Sequence, residues 1–173
     1  MQIATKPVTY KDADTTLNGI FFWDESLATK RPGVLVIHGG AGLDDHAKNR
    51  ARRFAELGYV AFACDMYGEG VAGNRERIMA RIAELRAEPD RLPRRANAGI
   101  EVLRTHPLTD DHIAAVGYCF GGMTISNSPA VARPSLASSA STAASTQSAK
   151  LRRPTPSKRR SSSATAHSTL TSL

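Results

Sequence analysis

Gly117-Tyr118-Cys119-Phe120-Gly121-Gly122 follows directly on the apolar run Ile113-Ala114-Ala115-Val116. A nucleophile mounted on a sharp strand-to-helix turn needs a small residue two places to either side, because the backbone passes too close to itself for a Cβ. Gly117 and Gly121 fill those places around Cys119, giving the spacing of a G-x-S-x-G nucleophile elbow with sulfur in place of oxygen. Taken alone, G-x-C-x-G is a weak signal, since buried cysteines are common and inert. Here the motif closes a predicted strand, follows a β-α-β pattern and lies one unit downstream of a His-Gly-Gly loop, and that context favours a nucleophile over plain core packing.

The β-α-β pattern begins at Val34-Leu35-Val36-Ile37-His38, a continuous apolar run of the kind that is buried on both faces of a parallel sheet. After the loop His38-Gly39-Gly40-Ala41-Gly42, Asp44 or Asp45 caps a helix with Ala47, Ala51, Phe54 and Ala55 on one face, and Gly58 stops it. Tyr59–Cys64 is the next buried strand, parallel to the first. Met66–Gly73 is a glycine-rich loop at the carboxyl end of that strand, the side on which open α/β sheets bind ligands. Ile78, Ile82 and Leu85 mark one helix. Pro93, Ala96, Ile100 and Leu103 mark another, ended by Pro107, and Ile113–Val116 is a third parallel strand that delivers Cys119. Ahead of all this, residues 5–10 and 16–23 flank Lys11-Asp12-Ala13-Asp14 as an N-terminal hairpin at the sheet edge.

The chain has 173 residues, enough for one domain with a core but short for a complete three-layer hydrolase. Its formal charge of +7 is unevenly placed. Seven of the 23 Lys and Arg follow Met123 and no acid does, so 16 basic residues face 16 acidic ones in residues 1–122. Two cysteines make no disulfide framework, and Met1–Lys6 has no apolar leader, so a reducing cytoplasm is expected. No apolar run reaches the roughly 18 residues of a membrane span.

A thiol attacks an acyl carbon as thiolate, so Cys119 needs a base or a positive dipole beside it. The start of the helix after the elbow is expected to supply the dipole, and the Phe120 N–H points where a tetrahedral oxyanion would form. A second N–H is expected from Gly39–Gly40, where the lack of a Cβ lets backbone approach substrate; the plainer reading is that these glycines only turn the chain. His38 and Asp65 stand at strand ends near Cys119. In elbow hydrolases, however, acid and base follow the nucleophile in chain order, so His38 is expected as a buried structural residue and Asp65 as a turn or cap. His46 reads as a helix-face residue and His112 as a loop residue. No His or Cys spacing suggests a metal, and no cofactor is expected.

These segments together resemble the dienelactone hydrolase family. The resemblance is carried in order by Val34–His38, Gly42-Leu43-Asp44-Asp45-His46, Arg50-Ala51-Arg52-Arg53, Ala55–Ala61, Asp65-Met66-Tyr67-Gly68 and Gly117–Gly122, from about Pro32 to Gly122. It implies an α/β-hydrolase fold and cofactor-free hydrolysis of an ester or lactone by a Cys-His-Asp triad. By position, Cys119 would be the nucleophile and the N–H groups of Gly40 and Phe120 the oxyanion hole. Two rim positions depart from the family: Gly39 replaces the glutamate that holds the resting thiol, and Glu69 replaces the arginine that clamps the substrate carboxylate. An anionic dienelactone would meet a carboxylate at Glu69, which points to a different ester or lactone.

Beyond Gly122 the composition changes. Fourteen of 15 serines follow Met123, without aromatics or acids, and such a segment buries too little apolar surface to offset its ordering entropy. Residues 1–122 are therefore expected as the N-terminal part of a hydrolase domain and 123–173 as a disordered low-complexity tail. Read from the third base of each possible codon, Ser126–Ala143 is compatible with a helix end and buried strand, and Ser162–Leu173 with V-C-H-G-A-L-D-P-H-V-P. The latter resembles the family's acid-bearing loop, which suggests a one-base change of register near Thr124–Ile125. As written, the chain lacks acid and base and is expected to have negligible triad catalysis. Two other functions fit parts of the sequence: a thiol redox protein using Cys119, and a binding protein whose Arg152–Arg160 arm takes nucleic acid nonspecifically.

Overall fold

The computed structural model describes residues 1–126. The low-complexity segment from Asn127, and the tail and reading-register expectations that fall on it, lie outside the described residues.

The chain runs β1 (Ile3–Asp12), β2 (Thr15–Asp24), β3 (Arg31–Ile37), α1 (Asp45–Glu56), β4 (Val60–Cys64), α2 (Arg75–Ala87), α3 (Arg91–Arg104), β5 (Thr109–Gly117) and α4 (Phe120–Ser126). The strands form one sheet in the order β1-β2-β4-β3-β5. β1 and β2 make the expected antiparallel hairpin, with longer strands and a turn confined to Ala13 and Asp14, and β2 joins β4 antiparallel. β3 lies between β4 and β5, parallel to both. β5 thus stands at one margin of the sheet, with β3 as its partner among the described residues.

Side-chain alternation along the buried strands builds two cores. Val34 and Val36 of β3 and Ala61 and Ala63 of β4 pack with Ala51 and Ala55 of α1. Leu35, Ile37, Phe62 and Cys64 point the other way, against Leu85 of α2 and Ala96, Ile100 and Leu103 of α3. The result is the three-layer α/β architecture expected from the sequence. Small residues on both sides let α1 approach β4 closely, while the opposite face carries bulk: Phe62, fully buried, meets Phe21 at 4.6 Å between ring centroids. Burying such a side chain contributes roughly 1.5–3 kcal/mol.

Local signals place the helix that follows β3. Asp44 caps α1 by accepting the Ala47 N–H at 2.9 Å, and Gly58, at φ 91°, takes the left-handed residue beyond its end. One expectation needs correction. His112 lies within β5, not in a loop, because the strand begins at Thr109, four residues before the apolar run. α4 runs to Ser126, with Thr124 fully buried and its hydroxyl donating to Phe120 O at 3.3 Å. Among the described residues no helix is long and apolar enough to cross a membrane.

Candidate active site

β5 ends at Gly117 and α4 begins at Phe120, so Cys119 sits in the two-residue turn between strand and helix. Its φ of 52° is left-handed, a conformation shared among the described non-glycine residues only with Ala13 of the hairpin turn. For a residue with a Cβ this costs about 1–3 kcal/mol and persists where the surroundings enforce it. The enforcement is visible. Gly121 N–H donates to Tyr118 O at 3.0 Å and Gly122 N–H to Cys119 O at 3.1 Å, while Tyr118 N–H donates to Ile37 O at 3.4 Å. A Cβ on Gly121 would stand 2.7 Å from Ile37 O and 2.8 Å from His38 O. The elbow therefore rests directly on the carboxyl end of β3, and only glycine permits that approach.

This geometry separates the two thiols. Cys119 is exposed, whereas Cys64 is fully buried in β4, where loss of solvent and the neighbouring Asp65 charge push its thiol up. The loop after β3 meets the elbow at Gly39, whose Cβ position is 3.5 Å from Tyr118 O. Gly40 faces open space, with nothing within 4 Å of its Cβ position. Among the described residues, the N–H groups of Gly40 and Phe120 make no intramolecular hydrogen bond.

Beneath this loop a polar network joins β3 to the loop after β4. His38 is fully buried; its Nε2 accepts the Met66 N–H at 3.0 Å and its Nδ1 lies 2.7 Å from Gly39 O. Tyr67 donates its hydroxyl to Gly40 O at 3.1 Å and packs edge-on against the His38 ring, 4.6 Å between centroids. Burial, reinforced by the facing Cys119 thiol, pushes the Tyr67 hydroxyl up to about 12. Tyr67 thus borders the nucleophile as a neutral donor. Asp65 turns the chain as expected: Oδ1 accepts from Tyr67 N–H at 2.8 Å and Gly68 N–H at 3.1 Å, and Oδ2 accepts from Asn18 N–H at 3.3 Å. Asp65 Oδ1 is also 3.8 Å from His38 Nε2, beyond hydrogen-bond range of a nitrogen already engaged by Met66.

The other named residues are scattered. Glu69 is exposed, and its N–H donates to Thr16 O at 3.4 Å, tying it to the start of β2. His46 lies on α1 and meets the Tyr118 ring edge-on at 5.9 Å, while the Arg50 guanidinium covers that ring at 5.4 Å. His112 pairs with Asp110 at 3.3 Å. Among the described residues no histidine hydrogen-bonds to Cys119, and no group of three His, Cys, Asp or Glu could hold a metal. Sequence reading did not assign Tyr67 or Met66 to the site; both lie in the Asp65–Gly68 segment that carries the family resemblance.

The dienelactone hydrolase family matches residues 19–157. The chain belongs to that family. The match extends beyond the motifs read between residues 32 and 122 on both sides. Two related structures are a dienelactone hydrolase-like promiscuous phosphotriesterase, P91, from metagenomic libraries and a protein called m3DLH. P91 is 38% identical over 73% of this chain and 54% of its own, with a TM-score of 0.70. m3DLH is 37% identical over 72% and 53%, with a TM-score of 0.68. The dienelactone hydrolase of Anabaena variabilis, at 17% identity, shares the fold with a TM-score of 0.53 over 72% of this chain and 56% of its own. No curated protein matches the chain. Relative to the structures it matches, this member of the family spans about half their length, 54% and 53% of the first two.

Proposed function

We propose that this dienelactone hydrolase family chain carries the nucleophilic half of a thiol hydrolase acting on carboxylic esters or lactones. The observation that supports it above all is Cys119 itself: an exposed thiol held at φ 52° on a strand-to-helix turn, beside a glycine loop with a free N–H. In this reading the Cys119 thiolate attacks the carbonyl carbon and an S–C bond forms. The displaced π pair becomes an oxyanion, received by the N–H groups of Gly40 and Phe120. Collapse expels the alcohol oxygen with its bonding pair and leaves an acyl-thioester. At the position where the family carries its substrate-clamping arginine, Glu69 would disfavour substrates with a carboxylate near it. The two free cysteines fit a reducing cytoplasm as the working compartment.

Water must then release the acyl group, a step that needs a general base. None of the described histidines stands with Cys119, so the 173-residue chain is expected to acylate once and turn over negligibly. p-Nitrophenyl acetate tests both statements. The expected record is a burst of one nitrophenolate per chain, absent in Cys119→Ala, with almost no steady phase. Lack of a burst overturns the nucleophile assignment, and sustained turnover abolished by Cys119→Ala overturns the inactivity. A neutral phosphotriester belongs in the same panel, since the 38% identical relative is a promiscuous phosphotriesterase.

A further inference from the structure

His38 donates and accepts in a fixed sense. The Met66 N–H, 3.0 Å from Nε2, has only a proton to offer, so Nε2 presents its lone pair. The ring proton is then on Nδ1, which donates to Gly39 O at 2.7 Å. Gly39 O belongs to the same peptide plane as the Gly40 N–H, and that peptide is trans. In a trans peptide the C=O and N–H point in opposite directions. With the carbonyl drawn down onto a fully buried imidazole, the Gly40 N–H is turned away from that ring.

We infer that His38 is a positioning residue for the oxyanion site: its Nδ1–H fixes the Gly39–Gly40 peptide so that the Gly40 N–H faces the acyl oxygen above Cys119. The inference rests on the function proposed above and gives the buried histidine a part in it without contact with substrate. The ring is held from several sides. Tyr67 packs against it edge-on at 4.6 Å and the Phe120 ring lies nearly parallel at 6.4 Å. Met66, which supplies the N–H, has its own carbonyl bound by the buried Arg95 guanidinium. The tautomer is therefore set by the loop after β4, and the Gly39 carbonyl is held by the shorter His38 Nδ1–H bond together with the Gly42 N–H, which donates to it at 3.3 Å. Tyr67, donating to Gly40 O, fixes the next peptide plane in the same way.

Two substitutions separate the donor from the acceptor. In His38→Asn the amide nitrogen takes the place of Nδ1 and keeps a donor to Gly39 O. In His38→Gln the amide oxygen reaches the place of Nε2 and keeps an acceptor for Met66, but the donor is lost. Acylation by p-nitrophenyl acetate passes through an oxyanion, whereas alkylation by iodoacetamide displaces iodide with no oxyanion. Measured on the full chain, His38→Gln should acylate roughly 100–1,000-fold more slowly than the parent, the scale of one lost oxyanion donor. His38→Asn should stay within a few-fold, and both should alkylate at the parent rate.

Equal acylation by parent and His38→Gln would overturn the inference alone. So would a parallel fall of acylation and alkylation in both variants, which marks a purely structural role. A parent chain that is alkylated but never acylated would overturn the hydrolase reading and this one with it. A variant that does not fold reveals itself by alkylation of Cys64 as well. In that event nitrogen-15 NMR of the parent decides: a proton on His38 Nδ1 is expected, and a proton on Nε2 with none on Nδ1 refutes the assignment.

Discussion

A Cβ on Gly117 would stand 2.3 Å from the carbonyl carbon and oxygen of Gly121, a separation no packed atom pair tolerates. The two glycines are thus one steric device, and Cys119 takes its left-handed φ between them. Gly117→Ala must push the strand end away from α4. We expect it to lower stability by about 1–3 kcal/mol, as overpacking does, and to abolish the nitrophenolate burst. Gly40→Ala is the control, because nothing lies within 4 Å of its Cβ position. Its thermal melt should match the parent. A Gly117→Ala chain with parental stability and burst would show that the turn is looser than described.

Arg95 is 1% exposed and ties three elements together. Its Nε donates to Asp12 Oδ2 at 3.3 Å, Nη2 to Thr15 Oγ1 at 3.1 Å and Nη1 to Met66 O. A lysine ammonium cannot span partners that a planar guanidinium reaches at once. Arg95→Lys keeps the charge but loses some of these partners, and should therefore cost about 1–3 kcal/mol, the range for buried polar groups left unsatisfied. It should also slow acylation, since Met66 orients His38. Arg94 shares Asp12 through Oδ1 at 2.8 Å but is half exposed, so Arg94→Ala should have a small effect. Denaturant melts of the two variants give the ranking, and a reversed order would remove Arg95 as the strut.

The contrast between these two sites explains what the sequence disclosed. The elbow was legible because its constraint is local: glycines two residues either side of Cys119, after an apolar run, are a short pattern with a steric cause. The continuous apolar runs Val34–Ile37 and Tyr59–Cys64, a cap at Asp44 or Asp45 and the hairpin were legible for the same reason. The Asp12–Arg95 strut was not, because its partners lie 83 positions apart and no periodicity announces them. His38 and Asp65 were read correctly as a buried residue and a turn residue, but not as members of one network. Their hydrogen bonds run to the backbone of Met66, Gly39 and Tyr67, and backbone partners leave no trace in residue identity. His112 was misplaced because β5 begins with the polar stretch Thr109–His112, which carries no apolar alternation.

The two thiols give a direct reading of the folded state. Cys119 is exposed, while Cys64 is fully buried, its thiol raised by burial and 4.0 Å from the Met66 sulfur. Thiolate fraction and access together set alkylation rate. Under native conditions iodoacetamide should modify Cys119 alone, and denaturant should admit a second label at Cys64. Mass spectrometry of peptides at each denaturant concentration would follow both. Native labelling of Cys64 at the rate of Cys119 would mean that β4 opens freely.

Asp65 makes stability depend on acid in a defined direction. Burial alone would raise its carboxyl, but the N–H groups of Tyr67, Gly68 and Asn18 outweigh that and hold it below the usual carboxylate value. The folded chain therefore prefers the ionised form more than the unfolded chain does. That contribution is complete above the unfolded value near about 3.9 and is lost as pH falls through the lower folded value. Asp65→Asn cannot accept from every one of these N–H groups and turns an amide donor toward some of them. At neutral pH it should cost about 1–3 kcal/mol, the penalty of leaving a buried donor unsatisfied. The gap between parent and variant should stay level from pH 8 to about 5 and narrow below about 4, once the parent carboxylate is protonated. Urea melts across that range measure it. A gap that widens on acidification would mean that Asp65 is protonated in the native turn, and the hydrogen-bond assignment around the site would have to be reversed.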